Sequence, residues 1–148
     1  MLEVLGKSVV LTGDIGAGNI TKLANQIMVA VNIAGMSEAL VLAAKAGVDP
    51  AVVFEAIRGG LAGSAVLEAK GPMVLDGNFK PGFRIRLHQK DLHNALLTAK
   101  ELGVAIPLTS IVQQMITALI NDGNADNDHS AIVQFIEKLS GTEARRIE

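Results

Sequence analysis

Gly13-Asp14-Ile15-Gly16-Ala17-Gly18-Asn19-Ile20-Thr21-Lys22-Leu23-Ala24-Asn25-Gln26 reads as a glycine turn running into a helix. Asn19 is a candidate N-cap. From there no proline interrupts the chain until about Ala46, where Gly47 supplies a C′ position. Before the turn, Ser8-Val9-Val10-Leu11-Thr12 has the character of a short strand. Strand, glycine loop and helix in that order raise the question of a dinucleotide fold. Its fingerprint is G-x-G-x-x-G, with an acidic residue about 20 positions on at the end of a second strand. Here the glycines fall at Gly13, Gly16 and Gly18, and Glu38 lies inside the helix. The stretch therefore opens a helical domain and not a Rossmann unit.

Helices continue outward from it. Asp49-Pro50 starts a second, running to about Arg58, because proline is tolerated in a first turn. Ser64 and Glu68 signal a short third helix reaching Ala69, and Asp76 to Gly82 is a loop. Ile85, His88, Leu92, Ala95, Leu96, Ala99 and Leu102 recur at helical spacing up to Gly103. Pro107 opens a helix with Ile111, Val112, Met115, Ile116 and Leu119 on one face. Asp128 or Ser130 caps a last one with Ile132, Phe135, Ile136 and Leu139 inward. The expected fold is all-α, about six helices around a long central buried helix, with one short N-terminal strand. A lone strand has no ladder partner, so it either pairs with another chain or is the tail of a preceding domain.

Composition narrows the function classes. The chain has 148 residues, enough for one domain with a real core. Its formal charge of −2, from 13 basic and 15 acidic side chains, gives no basic face for nucleic acid. Absence of Cys removes disulfides, thiolate metal sites and thiol catalysis, and fits a cytoplasmic setting. Ile27 to Ala44 approaches the length of a membrane span, but Glu38 would be costly in lipid and the many alanines suit tight helix packing, so no membrane partner is expected. Met1 to Thr12 carries Glu3 and Lys7 and lacks the order of a signal peptide.

Lys22 is the residue that the simple turn-and-helix reading leaves unexplained. It is placed in the first turn of the long helix, where the macrodipole disfavours a cation, one route to a lysine that exchanges protons near neutral pH. Asn25 and Gln26, three and four residues on, share its face. On these grounds alone a surface lysine is the simpler reading. Lys90-Asp91 alone reads as an exposed charge pair. His88 is expected satisfied at a helix interface, His93 solvated and His129 part of a turn; no metal site is expected. Arg145, Arg146 and Glu148 read as a solvated tail.

The quoted stretch resembles the catalytic-lysine signature of the β-hydroxyacid dehydrogenase family, whose members include 3-hydroxyisobutyrate dehydrogenase and tartronate semialdehyde reductase. Three further segments resemble that family in order and spacing. They are Ile57-Arg58-Gly59-Gly60-Leu61-Ala62-Gly63-Ser64, then Phe79-Lys80-Pro81-Gly82-Phe83 leading to Lys90-Asp91-Leu92, and Asp128-His129-Ser130-Ala131. The resemblance implies an NAD(P)-dependent oxidoreductase, with NAD or NADP as cofactor. It implies Lys22 as the catalytic proton donor, Asn25 or Gln26 holding substrate, Lys90 contacting the cofactor, and Phe83 and Asp91 lining the site. It further implies that residues 1–12 end a preceding nucleotide-binding domain, that 13–148 form the helical C-terminal substrate and dimerisation domain, and that the strand is left over from a missing Rossmann domain. On that reading the chain is inactive alone and the cofactor is bound mainly elsewhere. The glycine-rich Arg58–Ser64 run favours a three-carbon aldehyde acid, tartronate semialdehyde (2-hydroxy-3-oxopropionate), and a homo-oligomer is implied. The competing readings are the same domain acting on hydroxyisobutyrate, and a stand-alone helical self-association module.

Overall fold

The computed structural model describes residues 9–147. Six helices follow in order: α1 (Ala17–Lys45), α2 (Pro50–Arg58), α3 (Ala65–Leu75), α4 (Ile85–Leu102), α5 (Pro107–Asn121) and, after a 3-10 turn at His129–Ile132, α6 (Val133–Ser140). The long helix α1 is the axis, and each of the other five packs against it. Ala30, Ile33, Ala34, Ser37, Leu40 and Val41 form its buried stripe, related to one another by three and four residues, the repeat of one helix face. Small side chains in that stripe let neighbouring helices approach. The one hydroxyl among them, Ser37 Oγ, donates to the Ile33 carbonyl 2.7 Å away, so its burial leaves no unmet donor.

The strand expected at Ser8–Thr12 is not present. Ser8, like the rest of residues 1–8, lies outside the described residues, and residues 9–12 form no ladder. Val10 and Leu11 are exposed, Leu11 at 90%. An apolar extended run becomes a strand only where another backbone meets its N–H and C=O groups, and among the described residues no segment does so. Among the described residues, the one isolated bridge joins Arg84 and Asp128 instead.

Local signals set several helix ends. Asp49 Oδ1 accepts from the Ala51 N–H at 2.9 Å with Pro50 at the first position of α2, and Ser64 Oγ accepts from the Leu67 N–H at 3.0 Å at the head of α3. Gly16, not Asn19, precedes α1, in the left-handed conformation at φ +96°, which few other residues adopt. Lys22 therefore sits in the second turn, beyond the strongest part of the macrodipole field.

Packing overrides local preference elsewhere. Helix α3 runs past Ala69 through Gly71 and Pro72 to Leu75, because Val74 and Leu75 are driven into the core. Gly71 permits this: the Phe54 ring occupies the space where a side chain would begin, 2.4 Å from an ideal Cβ. Leu139, expected inward, is exposed, while Glu137 on the same helix is buried. Arg145 is half-buried and not part of a solvated tail, whereas Arg146 stays exposed. Arg145 Nη1 donates to Glu137 Oε1 at 2.6 Å and to the Val74 carbonyl at 3.2 Å, and Arg146 pairs with Asp76. Glu148 lies outside the described residues.

Gly71→Ala is expected to destabilise the fold by about 1–3 kcal/mol, since the ring of Phe54 must move for a methyl to fit. Chemical denaturation should show Phe54→Leu recovering part of the loss in the double variant; equal stability of Gly71→Ala and the parent would contradict this packing.

Candidate active site

Lys22 and Asp91 meet where α4 crosses α1. Lys22 Nζ lies 3.1 Å from Asp91 Oδ1; the lysine side chain is 60% exposed and the carboxylate side chain only 5%. The other carboxylate oxygen, Oδ2, accepts from the Gln26 side-chain amide at 2.8 Å. Gln26 Oε1 in turn accepts from Asn25 Nδ2 at 3.0 Å. Asn25 is exposed and Gln26 buried. The helical period explains the grouping, because Lys22 and Gln26 are four apart and project toward the same side of α4. Asp91 thus gains one charged and one neutral donor, which offset the cost of removing its charge from water.

Behind this group lies a second layer. His88, one turn before Asp91 on α4, places Nε2 3.3 Å from the Gln26 carbonyl oxygen and Nδ1 2.9 Å from His129 Nδ1. The Phe83 ring stands edge-on to His88, centroids 5.8 Å apart, and 5.3 Å from the ring of His129. Asp128 anchors the layer. Its Oδ2 accepts from the N–H groups of Gly82 and Phe83, each at 2.9 Å, and its Oδ1 accepts from the Ser130 N–H and from Lys70 Nζ, each at 3.0 Å. Burial alone would raise this carboxyl. The Phe83 and Ser130 N–H groups, with Lys70, outweigh burial and hold it at about 2. Burial pushes both imidazoles down, His129 to about 4 with His88 beside it adding to the effect.

The expected site residues are therefore divided. Lys22, Asn25, Gln26 and Asp91 come together. Phe83 packs on the histidine pair, and Lys90 lines a separate shallow depression with Gln89, His93 and Gln113. Asp91 is not half of a charge pair with Lys90, since adjacent helix residues face different directions. His129 is a buried partner of His88 and not merely a turn residue. Lys70 and Asp128 were not expected as a pair; the Asp128-x-Ser130 spacing signals only the cap. The i, i+3 relation of His88 to Asp91 was the available sign that the histidine shares the site's face. Among the described residues no group of three His, Cys, Asp or Glu is disposed to hold a metal.

An all-helical body presenting a carboxylate-paired ammonium on an open face defines a class, a helical domain with an acid–base pair at its surface. Comparisons with known proteins make it particular. Residues 16–136 match the family described as NAD-binding of NADP-dependent 3-hydroxyisobutyrate dehydrogenase, and the chain belongs to that family of NAD(P)-dependent β-hydroxyacid dehydrogenases. It is 45% identical over 140 residues to the 2-hydroxy-3-oxopropionate reductase of Escherichia coli, covering 95% of this chain and 48% of the relative. It is 34% identical to the 2-(hydroxymethyl)glutarate dehydrogenase of Eubacterium barkeri, covering 95% and 47%. The solved 3-hydroxyisobutyrate dehydrogenase of Mycobacterium tuberculosis with L-serine superposes at a TM-score of 0.82 and 29% identity, covering 91% of this chain and 48% of that one. The chain spans about half the length of the curated relatives it matches.

These matches fall on the helical body and correct one expectation. The segment described as NAD-binding is residues 16–136 itself, so neither the fold nor the comparisons support a strand left over from a missing Rossmann domain. The cofactor is NAD or NADP. The residues present suit its reacting end: the exposed ammonium of Lys22, the exposed side chain of Asn25 one turn on, and Gly16 and Gly18, around which a Cβ would meet nothing within 4 Å.

The histidine pair gives the fold an acid-sensitive window. An unfolded imidazole takes up its proton near pH 6.5, whereas buried His129 resists until about pH 4. Between those values the unfolded chain binds more protons, so stability falls as pH drops from 6.5 to 4, by up to about 3 kcal/mol for His129. Asp128 acts lower. Its contribution is complete above the ordinary carboxyl value of 3.8 and disappears as pH falls through about 2. Thermal unfolding followed from pH 7 to pH 4 should show the first loss, and His129→Phe should flatten it.

Proposed function

We propose that the chain carries the proton-donating half of the reduction of a small aldehyde acid, tartronate semialdehyde (2-hydroxy-3-oxopropionate) being the substrate favoured. The observation behind this reading is the Lys22–Asp91 pair: the carboxylate is buried, and the ammonium it holds faces outward. A solvated lysine samples many rotamers. One tied at 3.1 Å to a fixed carboxylate presents its remaining N–H groups in a restricted direction. When bound, the reduced nicotinamide supplies a hydride to the carbonyl carbon. Lys22 Nζ gives a proton to the carbonyl oxygen, which becomes the hydroxyl, and is left as an amine hydrogen-bonded to Asp91. Its exposed side then recovers a proton from water. In the reverse direction the amine accepts the hydroxyl proton.

Asn25 is the substrate-holding amide in this reading, because it is exposed and one turn from Lys22, whereas the Gln26 amide is committed to Asp91. Lys90 contributes cofactor contact. Phe83 supports the site from behind. The preference for the three-carbon acid over hydroxyisobutyrate rests on the glycine-rich Arg58–Ser64 run as a sequence resemblance, since its Ala62 and Ser64 lie beside Asn32, Gly35 and Met36 of α1 and not at Lys22.

Lys22→Ala is expected to lower turnover about a hundred- to ten-thousandfold, the contribution of a positioned general acid. NAD(P)H binding measured by fluorescence should stay near the parent value. Turnover of tartronate semialdehyde unchanged in Lys22→Ala would refute the role of the lysine, and faster turnover of hydroxyisobutyrate would refute the substrate.

Self-association belongs to the same reading. Ile20, Met28, Gly35 and Leu42 fall within about 80° of one another around α1, and all four are exposed, Leu42 at 71%. A second copy of the chain would cover this stripe. Light scattering should report an oligomer for the parent and a smaller species for Leu42→Glu; a monomeric parent would contradict it.

A further inference from the structure

The proposed chemistry does not use the two buried imidazoles behind it, yet their hydrogen bonds are unusually determined. A carbonyl oxygen can only accept, so His88, facing the Gln26 carbonyl, must carry its proton on Nε2. Its Nδ1 is then an acceptor, and His129 must donate to it from Nδ1. One backbone carbonyl thereby dictates the tautomers of both rings. Phe83 packs against both rings.

Gln26 is gripped twice by α4. His88 holds its main-chain oxygen, and Asp91, three residues later on the same face, holds its side-chain amide. Lys22 meets the other oxygen of that same carboxylate. His129 cannot retreat, because its own N–H donates to the Phe83 carbonyl at 2.9 Å and the preceding residue is the anchored Asp128. A continuous path runs from Lys70 through Asp128, His129 and His88 to Gln26 and Asp91.

We propose that His88 and His129 are positioning residues for the reaction: the pair fixes where α4 seats on α1 at Gln26, and so holds Asp91 at the distance that directs Lys22. The proposal rests on Lys22 being the proton donor, as argued above. The charged groups facing the pair are Asp91 on α4, Asp128 before the 3-10 turn and Lys70 on α3; α1 contributes the neutral Gln26 carbonyl. The two carboxylates favour a proton on the rings, and burial with Lys70 opposes it, which keeps the pair neutral at pH 7.

Long-range proton–nitrogen spectra of the full chain at pH 7 test this directly, with His88 expected as the Nε2–H tautomer and His129 as Nδ1–H. In His88→Leu the Gln26 side-chain amide resonances should shift toward those of a free amide. The kcat for aldehyde-acid reduction should fall about a hundredfold, as for a reacting group misplaced by an ångström, while KM changes little. His88→Gln, which keeps a side-chain N–H for the carbonyl, should recover part of both. The opposite tautomer at His88, or a Gln26 amide unmoved in folded His88→Leu, overturns the proposal. Should His88→Leu not fold, the parent tautomers and the His88→Gln spectrum decide. Full turnover in Lys22→Ala would remove the catalytic reading and leave the spectra unaffected, so the two failures are separable.

Discussion

A carboxylate taken out of water must find donors, and Asp91 finds both of its own on α1. That requirement fixes the geometry of the candidate site more tightly than any apolar contact, because it ties a charge on one helix to an amide and an ammonium one turn apart on another. Asp128 and Glu137 repeat the arrangement at lower levels of the fold. Asp128 joins the 82–84 loop, α3 and the 3-10 turn; Glu137 joins α6 to the chain's last described residues through Arg145 and the Ala144 N–H. Asp91 and Asp128 link segments distant in sequence, whereas Glu137 folds the end of the chain back on α6.

Helix α1 makes such links possible by being two-sided. Its buried stripe is built from small and branched side chains, so the five partner helices come close enough for hydrogen bonds between side chains to bridge them. Its N-terminal third is different in kind. Between Ala17 and Gln26 only Gln26 is buried; Lys22 and Gln26 reach Asp91 near the start of α4, while Ile20, Leu23 and Ala24 line an open apolar depression with Ala95, Ala99 and Leu102 further along it. The pair at Lys22 therefore combines two properties that usually exclude one another. The carboxylate is sheltered enough to be held rigidly, and the ammonium is exposed enough to exchange its proton.

What could be read from the residues alone follows from the range of the forces involved. Asp49-Pro50, Ser64, Gly47 and Gly103 act within a turn, and the helix ends they mark lie where the sequence implied. Lys22, Asn25 and Gln26 share a face by simple periodicity. Apart from the start of α1, which Gly16 and not Asn19 sets, the failures are long-range. Helix α3 passes Pro72 because Val74 and Leu75 enter the core, Glu137 rather than Leu139 turns inward because Arg145 and Ala144 return to meet it, and residues 9–12 form no strand because no backbone among the described residues pairs with them. That Asp91 belongs to Lys22, 69 residues away, is invisible locally, since Lys90 beside it offers the more obvious partner.

The histidines show how a site can carry information that its reacting residues do not. Two neutral imidazoles bonded Nδ1 to Nδ1 admit only one proton between them, and the Gln26 carbonyl decides which ring holds it. An aliphatic pair of similar volume would fill the space, and by the ordinary accounting of buried polar groups would stabilise the fold at least as well. It would not, however, discriminate among positions of α4 along α1, because apolar contacts tolerate a shift of an ångström that a chain of hydrogen bonds does not. The acid sensitivity that the pair imposes on the fold is thus the counterpart of the register it imposes on Asp91, and both arise from the same two rings being held neutral below Lys22.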